Sequence, residues 1–289
     1  MFTRAFRYER AERYSDACDL LRQHGEQAKV LAGGQSLLPL INLGLAQPGL
    51  VVDISRLAEG RDITVTGDGY LVLGALVTHA RLAADPGARV AQPLLPAAAG
   101  QIGNSRVRNR GTLGGSLAHA DPAAELPLVM VALGATYEIT AGQESRAVRA
   151  EDFHLGFFTT GLDDDELIVS VRAPVLGPGW GWSFQEVARR DGDFAMASVA
   201  ALIRSADGLI IESRVAAGGV GDRPLRLADV ETALTGCPVA NLAERVGPIQ
   251  GISPAGDTSA SAQYRARLTR VLVIRALAEA AGRAGEEAA

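Results

Sequence analysis

The chain has 289 residues, 47% of them hydrophobic, enough to fill more than one apolar core, so two or three compact units are expected. Its 28 basic and 33 acidic side chains leave a formal net charge of -5, which argues against nucleic acid as the main partner, because phosphate-backbone binding needs concentrated positive surface. The two cysteines, Cys18 and Cys237, are too few to build an iron-sulfur cluster or a thiolate zinc site from this chain alone.

The first expected unit covers residues 1–57. Its N-terminal stretch carries charge and no continuous apolar run, so it does not read as a secretory signal. Ser15 offers a cap for a helix through Leu21, which His24-Gly25 ends. Lys29-Val30-Leu31 reads as a strand that runs into Ala32-Gly33-Gly34-Gln35-Ser36; Leu37 begins a helical segment to Leu43, and residues 50–54 form a second strand.

The second expected unit covers residues 58–176. Gly67-Asp68-Gly69 between two apolar runs predicts a hairpin, Thr78 predicts a helix cap, and residues 94–99 predict another helix. After Ile102 come Arg106, Arg108 and Arg110, spaced like one face of a strand. They could solvate that face, pair with carboxylates or position a phosphate, and spacing alone does not choose. A second glycine stretch follows, Thr112-Leu113-Gly114-Gly115-Ser116. Residues 125–133 predict an apolar helix, about half the length a membrane span needs, and residues 135–139 and 167–173 predict strands of one sheet. No longer apolar run occurs, so no membrane span and a cytoplasmic location are expected.

Residues 177–289 form the third expected unit, entered through the linker Val175-Leu176-Gly177-Pro178-Gly179. Three runs of strand length, within 182–189, 195–204 and 210–217, predict an antiparallel sheet. Helical patterns at 229–234 and 262–281 predict that helices cover one face of it. His24, His79 and His154 lack ligand-like spacing, so no metal is expected, and His119, though able to shuttle protons near pH 7, reads as a structural or solvent-satisfied histidine.

Glycines after a strand let an anion approach backbone N–H groups, and Ser36 adds a hydroxyl donor. Adjacent glycines fit neither a P-loop nor the spaced dinucleotide fingerprint. One such turn is most simply a turn. Two, in different units and both ended by a hydroxyl, suggest a dinucleotide whose two phosphates are held without lysine.

The stretches AGGQSLLPLINLGLAQP (32–48), IGNSRVRNRGTLGGSLAHADPAAELP (102–127) and RRDGDFAMASVA (189–200) resemble the FAD-binding medium subunits of carbon monoxide, nicotine and caffeine dehydrogenases. They are also similar to the FAD domain of xanthine dehydrogenase. The resemblance implies an α+β chain: a two-part FAD-binding fold of the vanillyl-alcohol-oxidase-like type, followed by a C-terminal antiparallel sheet with helices. It implies FAD contacts from Val30, Leu31, Ala32, Gly33, Gly34, Gln35, Ser36 and Leu37, and from Ile102, Thr112, Gly114, Gly115, Ser116, Ala120, Asp121, Glu125 and Leu167. Gln185 stands where xanthine dehydrogenase has a lysine close to the flavin, and Asp193 and Phe194 would bring an edge of the third unit near the ring. Glu125 has a rival reading as a plain helix-start carboxylate.

The resemblance further implies a small partner subunit with two [2Fe-2S] clusters, a large partner subunit with molybdopterin cofactor, an external electron acceptor, and a heterotrimer that pairs into a hexamer. The rival readings are a free-standing flavin oxidoreductase and an assembly module that has lost FAD.

Overall fold

The protein is described by a computed structural model over residues 5–286. The first unit consists of strand β1 (Arg7–Arg10), helix α1 (Tyr14–His24), β2 (Ala28–Leu31), α2 (Leu37–Asn42) and β3 (Leu50–Asp53). The three strands run parallel in the order β1-β3-β2. Central β3 is buried on both faces, as a strand flanked by parallel neighbours must be, which explains its unbroken apolar run. β1 was absent from the sequence expectations because its residues, Arg-Tyr-Glu-Arg, show no apolar alternation; it is held by backbone pairing with β3 and by the Tyr8 hydroxyl, which donates to the Asp53 carboxylate. The start of α1 also moves. Arg13, not Ser15, occupies the cap position, and the Asp16 carboxylate accepts its amide at 3.0 Å.

The second unit holds β4 (Ile63–Val65), β5 (Tyr70–Gly74), α3 (His79–Ala84), α4 (Pro86–Ala91), α5 (Leu94–Gln101), α6 (Ser105–Arg110), α7 (Leu113–His119) and α8 (Glu125–Leu133). It continues with β6 (Thr136–Thr140), β7 (Ser145–Arg149), α9 (Ala150–Phe153), the short hairpin of β8 (His154–Gly156) and β9 (Thr159–Thr160), and β10 (Leu167–Pro174). Five of these strands form an antiparallel sheet in the order β4-β5-β10-β6-β7. Every residue of α8 after Glu125 is buried, so its apolar run marks a helix enclosed on all sides.

The third unit is a sheet in the order β11 (Trp180–Ala188), β12 (Ala195–Ala206), β13 (Leu209–Gly218), β14 (Leu225–Arg226), followed by α10 (Ala228–Leu234), α11 (Leu242–Arg245) and α12 (Ala262–Glu286). Helices cover one face, as expected. A Cβ on Gly181 would lie 2.5 Å from the Ala284 nitrogen of α12, so β11 and that helix touch through backbone. The other face is not open: Trp180, Trp182, Phe184, Ala200, Leu202 and Ala216 join the core of the second unit. Residues of even number along β11 therefore point at the second unit and odd ones at α12, the two-residue period of a strand.

Candidate cofactor site

The Gly33-Gly34 turn lies against the backbone just ahead of the second glycine stretch. A Cβ on Gly33 would collide with the Arg110 carbonyl and sit 2.8 Å from Gly111 Cα. Gly34 has φ +73, a left-handed conformation that favours glycine. The amides of Gly33, Gly34, Gln35 and Ser36 meet no protein acceptor among the described residues, and neither does the Ser36 hydroxyl. Gly33 and Gly34 are buried, and buried N–H groups are almost always paired, so their free amides mark a place where an acceptor from outside the chain belongs.

The second stretch is built differently from the expected loop. Thr112 caps α7, with its hydroxyl accepting the Gly115 amide at 3.2 Å and its carbonyl accepting that of Ser116 at 3.0 Å. The amides of Leu113 and Gly114 donate to Val77 and Ala75, at 2.9 and 2.8 Å. Among the described residues, only the Thr112 backbone donor of this stretch is left over. Gly114 serves packing instead, since a Cβ there would lie 2.6 Å from that of Ala75. The stretch still presents the Ser116 hydroxyl, which makes no hydrogen bond among the described residues.

The arginine cluster is helical, which corrects the strand-like reading. Asn104 caps α6 by accepting the amides of Arg106 and Val107, so Arg106 and Arg110 stand one turn apart and exposed. Arg108 turns back to donate to the carbonyls of Ile102 and Gly103, at 2.9 and 2.7 Å, which fixes Ile102 at the end of α5. Arg106 and Arg110 make no ion pair among the described residues.

Val30 and Leu31 end β2 and feed the turn, Ala32 and Gln35 flank the glycines, and Leu37 opens α2. Leu167 is buried in the core of the first unit although it belongs to the sheet of the second, so it ties the two together. Ala120 ends α7 in a left-handed conformation, φ 51, and its carbonyl accepts the Phe158 amide at 3.2 Å. Phe158 shares that conformation and stacks on His119 with ring centres 5.0 Å apart. Asp121 accepts the Ala123 amide in the turn before α8.

Glu125 opens α8, and withdrawal from water pushes its carboxyl up to about 7, with the Asp121 charge adding to the rise. Gln185 does not join this group. Its amide nitrogen donates to the Glu279 carboxylate at 2.6 Å, on the α12 side of the sheet, and the adjoining Glu186 takes the side facing the second unit. Sequence position alone could not separate these neighbours; strand parity could have, once β11 was placed. The turn of the third unit packs against the connection between α5 and α6, because a Cβ on Gly192 would lie 2.9 Å from the Gly103 carbonyl. Phe194, just beyond it, is 71% exposed.

His79 and His154 are held down to about 4 by burial, and neither belongs to a cluster able to bind a metal among the described residues. No helix there is long and apolar enough to cross a membrane.

Free amides on a glycine turn where two mixed helix-and-sheet units meet, backed by a third sheet, define a two-part protein with a site suited to an anionic cofactor. Comparison with known proteins makes this specific. The FAD-binding domain in molybdopterin dehydrogenase matches residues 4–176, and the CO dehydrogenase flavoprotein C-terminal domain matches residues 182–280. The nicotine 6-hydroxylase medium subunit of Paenarthrobacter nicotinovorans is 38% identical over 283 residues, 96% of this chain and 98% of that protein. The carbon monoxide dehydrogenase medium chain of Hydrogenophaga pseudoflava is 34% identical, covering 94% and 96% of the two chains. The solved carbon monoxide dehydrogenase from Hydrogenophaga pseudoflava superposes with a TM-score of 0.93 at 35% identity, over 98% of this chain and 99% of that one. Quinoline 2-oxidoreductase from Pseudomonas putida 86 gives 0.91 at 36%, over 98% and 99%. The chain belongs to the family of FAD-binding medium subunits of molybdopterin-dependent dehydrogenases.

Proposed function

We propose that this chain is the electron-transferring flavin subunit of a heterotrimer, taking electrons from the [2Fe-2S] clusters of a small subunit and passing them to an external acceptor. A large subunit with molybdopterin cofactor would oxidise the organic substrate, and the trimer would pair into a hexamer in the cytoplasm. The observation that carries the reading is the row of free amides from Gly33 to Ser36 beside the Arg110–Gly111 peptide. It fits FAD because that ligand brings two phosphates and no need for a lysine.

When bound, FAD supplies the redox centre that the protein side chains lack. The amides of the turn and the hydroxyls of Ser36 and Ser116 would hold the phosphates. Ala120, Asp121 and Glu125 would order the sugar and adenine side, while Leu167 packs the first unit onto the sheet beneath. The turn at Gly192 would bring Phe194 to the rim and limit access of water. Gln185, engaged with Glu279, would act through the third unit's packing rather than by contact.

The experiment is native purification of the complex, with mass analysis of its subunits and identification of released cofactors. FAD, iron-sulfur clusters and two further subunit types would support the proposal. A chain that binds FAD and turns over an organic substrate without partners would replace it with the free-standing oxidoreductase. A chain that takes up no FAD would favour the assembly module.

A further inference from the structure

The peptide on which the glycine turn closes is held from behind by the segment that leads into α3. Residues 75–79 run antiparallel to residues 111–114: the His79 amide donates to the Gly111 carbonyl at 3.0 Å, and the Leu113 and Gly114 amides donate to Val77 and Ala75 at 2.9 and 2.8 Å. Gly111 also closes α6, its own amide donating to the Val107 carbonyl at 2.7 Å.

The backbone of Gly111, φ -57 and ψ 139, is one that any residue adopts. The need for glycine comes instead from a neighbour. A Cβ there would lie 2.7 Å from both Cδ2 and Nε2 of His79, with the Val107 carbonyl next at 3.1 Å. The imidazole thus fills the place that a Gly111 side chain would take. Gly33 reaches the same peptide from another direction, its own Cβ position 2.8 Å from Gly111 Cα. The ring is 5% exposed, so it has no room to swing into solvent. Neither ring nitrogen makes a hydrogen bond among the described residues; Nδ1 is buried without a partner, and burial keeps the ring neutral. What the imidazole contributes at this place is contact, not a bond or a charge.

We infer that His79 is a positioning residue for the phosphate site: its ring, standing in for a Gly111 side chain, sets where the Arg110–Gly111 peptide lies relative to the amides of Gly33 to Ser36. The inference rests on the reading that those amides hold the pyrophosphate of FAD. Gly33 packs on the peptide with no side chain between them, so a displacement of Gly111 is passed directly to the turn. The ring fixes the peptide from one side, and the glycine turn closes on it from the other direction.

The test uses the whole complex stripped of FAD, with FAD binding followed by flavin fluorescence and the bound pyrophosphate by phosphorus NMR, below the melting temperature of each variant. Gly111→Ala sets a methyl against the ring, and FAD affinity falls by about tenfold or more. His79→Ala leaves the peptide unsupported and lowers affinity about fivefold, by the same factor at pH 6 and pH 8 because the ring is neutral at both. In the double variant the methyl takes up space the ring has left, and affinity returns to within about threefold of the unaltered protein. The pyrophosphate resonances are displaced in each single variant and return toward their original positions in the double one. Losses that multiply in the double variant, full affinity in Gly111→Ala, or weaker binding with unmoved pyrophosphate resonances overturn the inference while FAD binding stands. A His79→Ala loss present at pH 6 and absent at pH 8 also overturns it, since a charged imidazole would then be drawing the phosphates. Failure of the unaltered protein to bind FAD overturns the functional reading with it.

Discussion

Gly33 and Arg110, far apart in sequence, meet so closely that no side chain fits between the Gly33 Cα and the Arg110 carbonyl. This contact joins the turn of the first unit to the helix end of the second, and the free amides lie along it. Gly33→Ala must therefore push the two units apart. The expected result is a folded chain, destabilised by about 1–3 kcal/mol as for other overpacked sites, with FAD affinity down by more than tenfold. Gly67→Ala, whose added carbon meets open space, serves as control and leaves both unchanged. Equilibrium FAD titration together with thermal melting checks it; full FAD affinity in Gly33→Ala would remove the contact from the cofactor site.

The two hydroxyl-ended stretches look alike in sequence and differ in structure, so their hydroxyls should fail differently. Thr112 caps α7, and Thr112→Ala is expected to cost about 1 kcal/mol of stability. Ser36 caps nothing, so Ser36→Ala should leave the melting temperature in place and weaken FAD binding several-fold. A melting shift in Ser36→Ala with unchanged FAD affinity would reverse the assignment.

This contrast shows what the sequence could and could not carry. Residues 50–54, 125–133 and 195–204 were legible as elements because burial on several sides leaves long, largely apolar runs. β1 was illegible because Arg-Tyr-Glu-Arg shows no apolar alternation, and α6 because alternating arginines mimic a strand face while the helix signal sits in the Asn104 cap. The glycine turn at 33–34 was legible as a backbone approach site. That Gly114 packs on Ala75 instead of freeing an amide depends on a long-range contact, which no local pattern records.

Acid should destabilise the second unit through its histidines. His79 and His154 sit near 4 in the folded chain against an ordinary 6.5, so they are depressed, and the unfolded chain binds more protons between those values. Their contribution is fully present above pH 6.5 and is lost as pH falls toward 4. Thermal melts from pH 7 to pH 4 should show this decline, and His79→Phe should flatten part of it. An unchanged acid slope in that variant would mean the His79 imidazole finds a proton acceptor in the folded chain.

The seam between the second and third units should open when Gly218 acquires a side chain. Its Cβ would meet the Ser198 hydroxyl at 2.8 Å, Leu128 Cδ2 at 3.3 Å and the Pro122 carbonyl at 3.4 Å, so at least one of three groups from both sides must give way. Ser198 and Leu128 are fully buried and cannot swing into solvent, which leaves separation of the sheet from α8 as the relief. The units are also joined through residues 175–179, where the Val175 and Leu176 amides donate to Gly69 and Ala91. Once the sheet lifts, that tether becomes the exposed strand of chain. Gly218→Val should therefore be cut by chymotrypsin after Leu176 or Trp180 many-fold faster than the unaltered protein. Gly181→Ala, which disturbs only the contact between β11 and α12, should lower the melting temperature without faster cutting at the tether. Equal cutting rates for Gly218→Val and the unaltered protein would mean that the seam holds through the Trp180, Trp182 and Phe184 contacts alone.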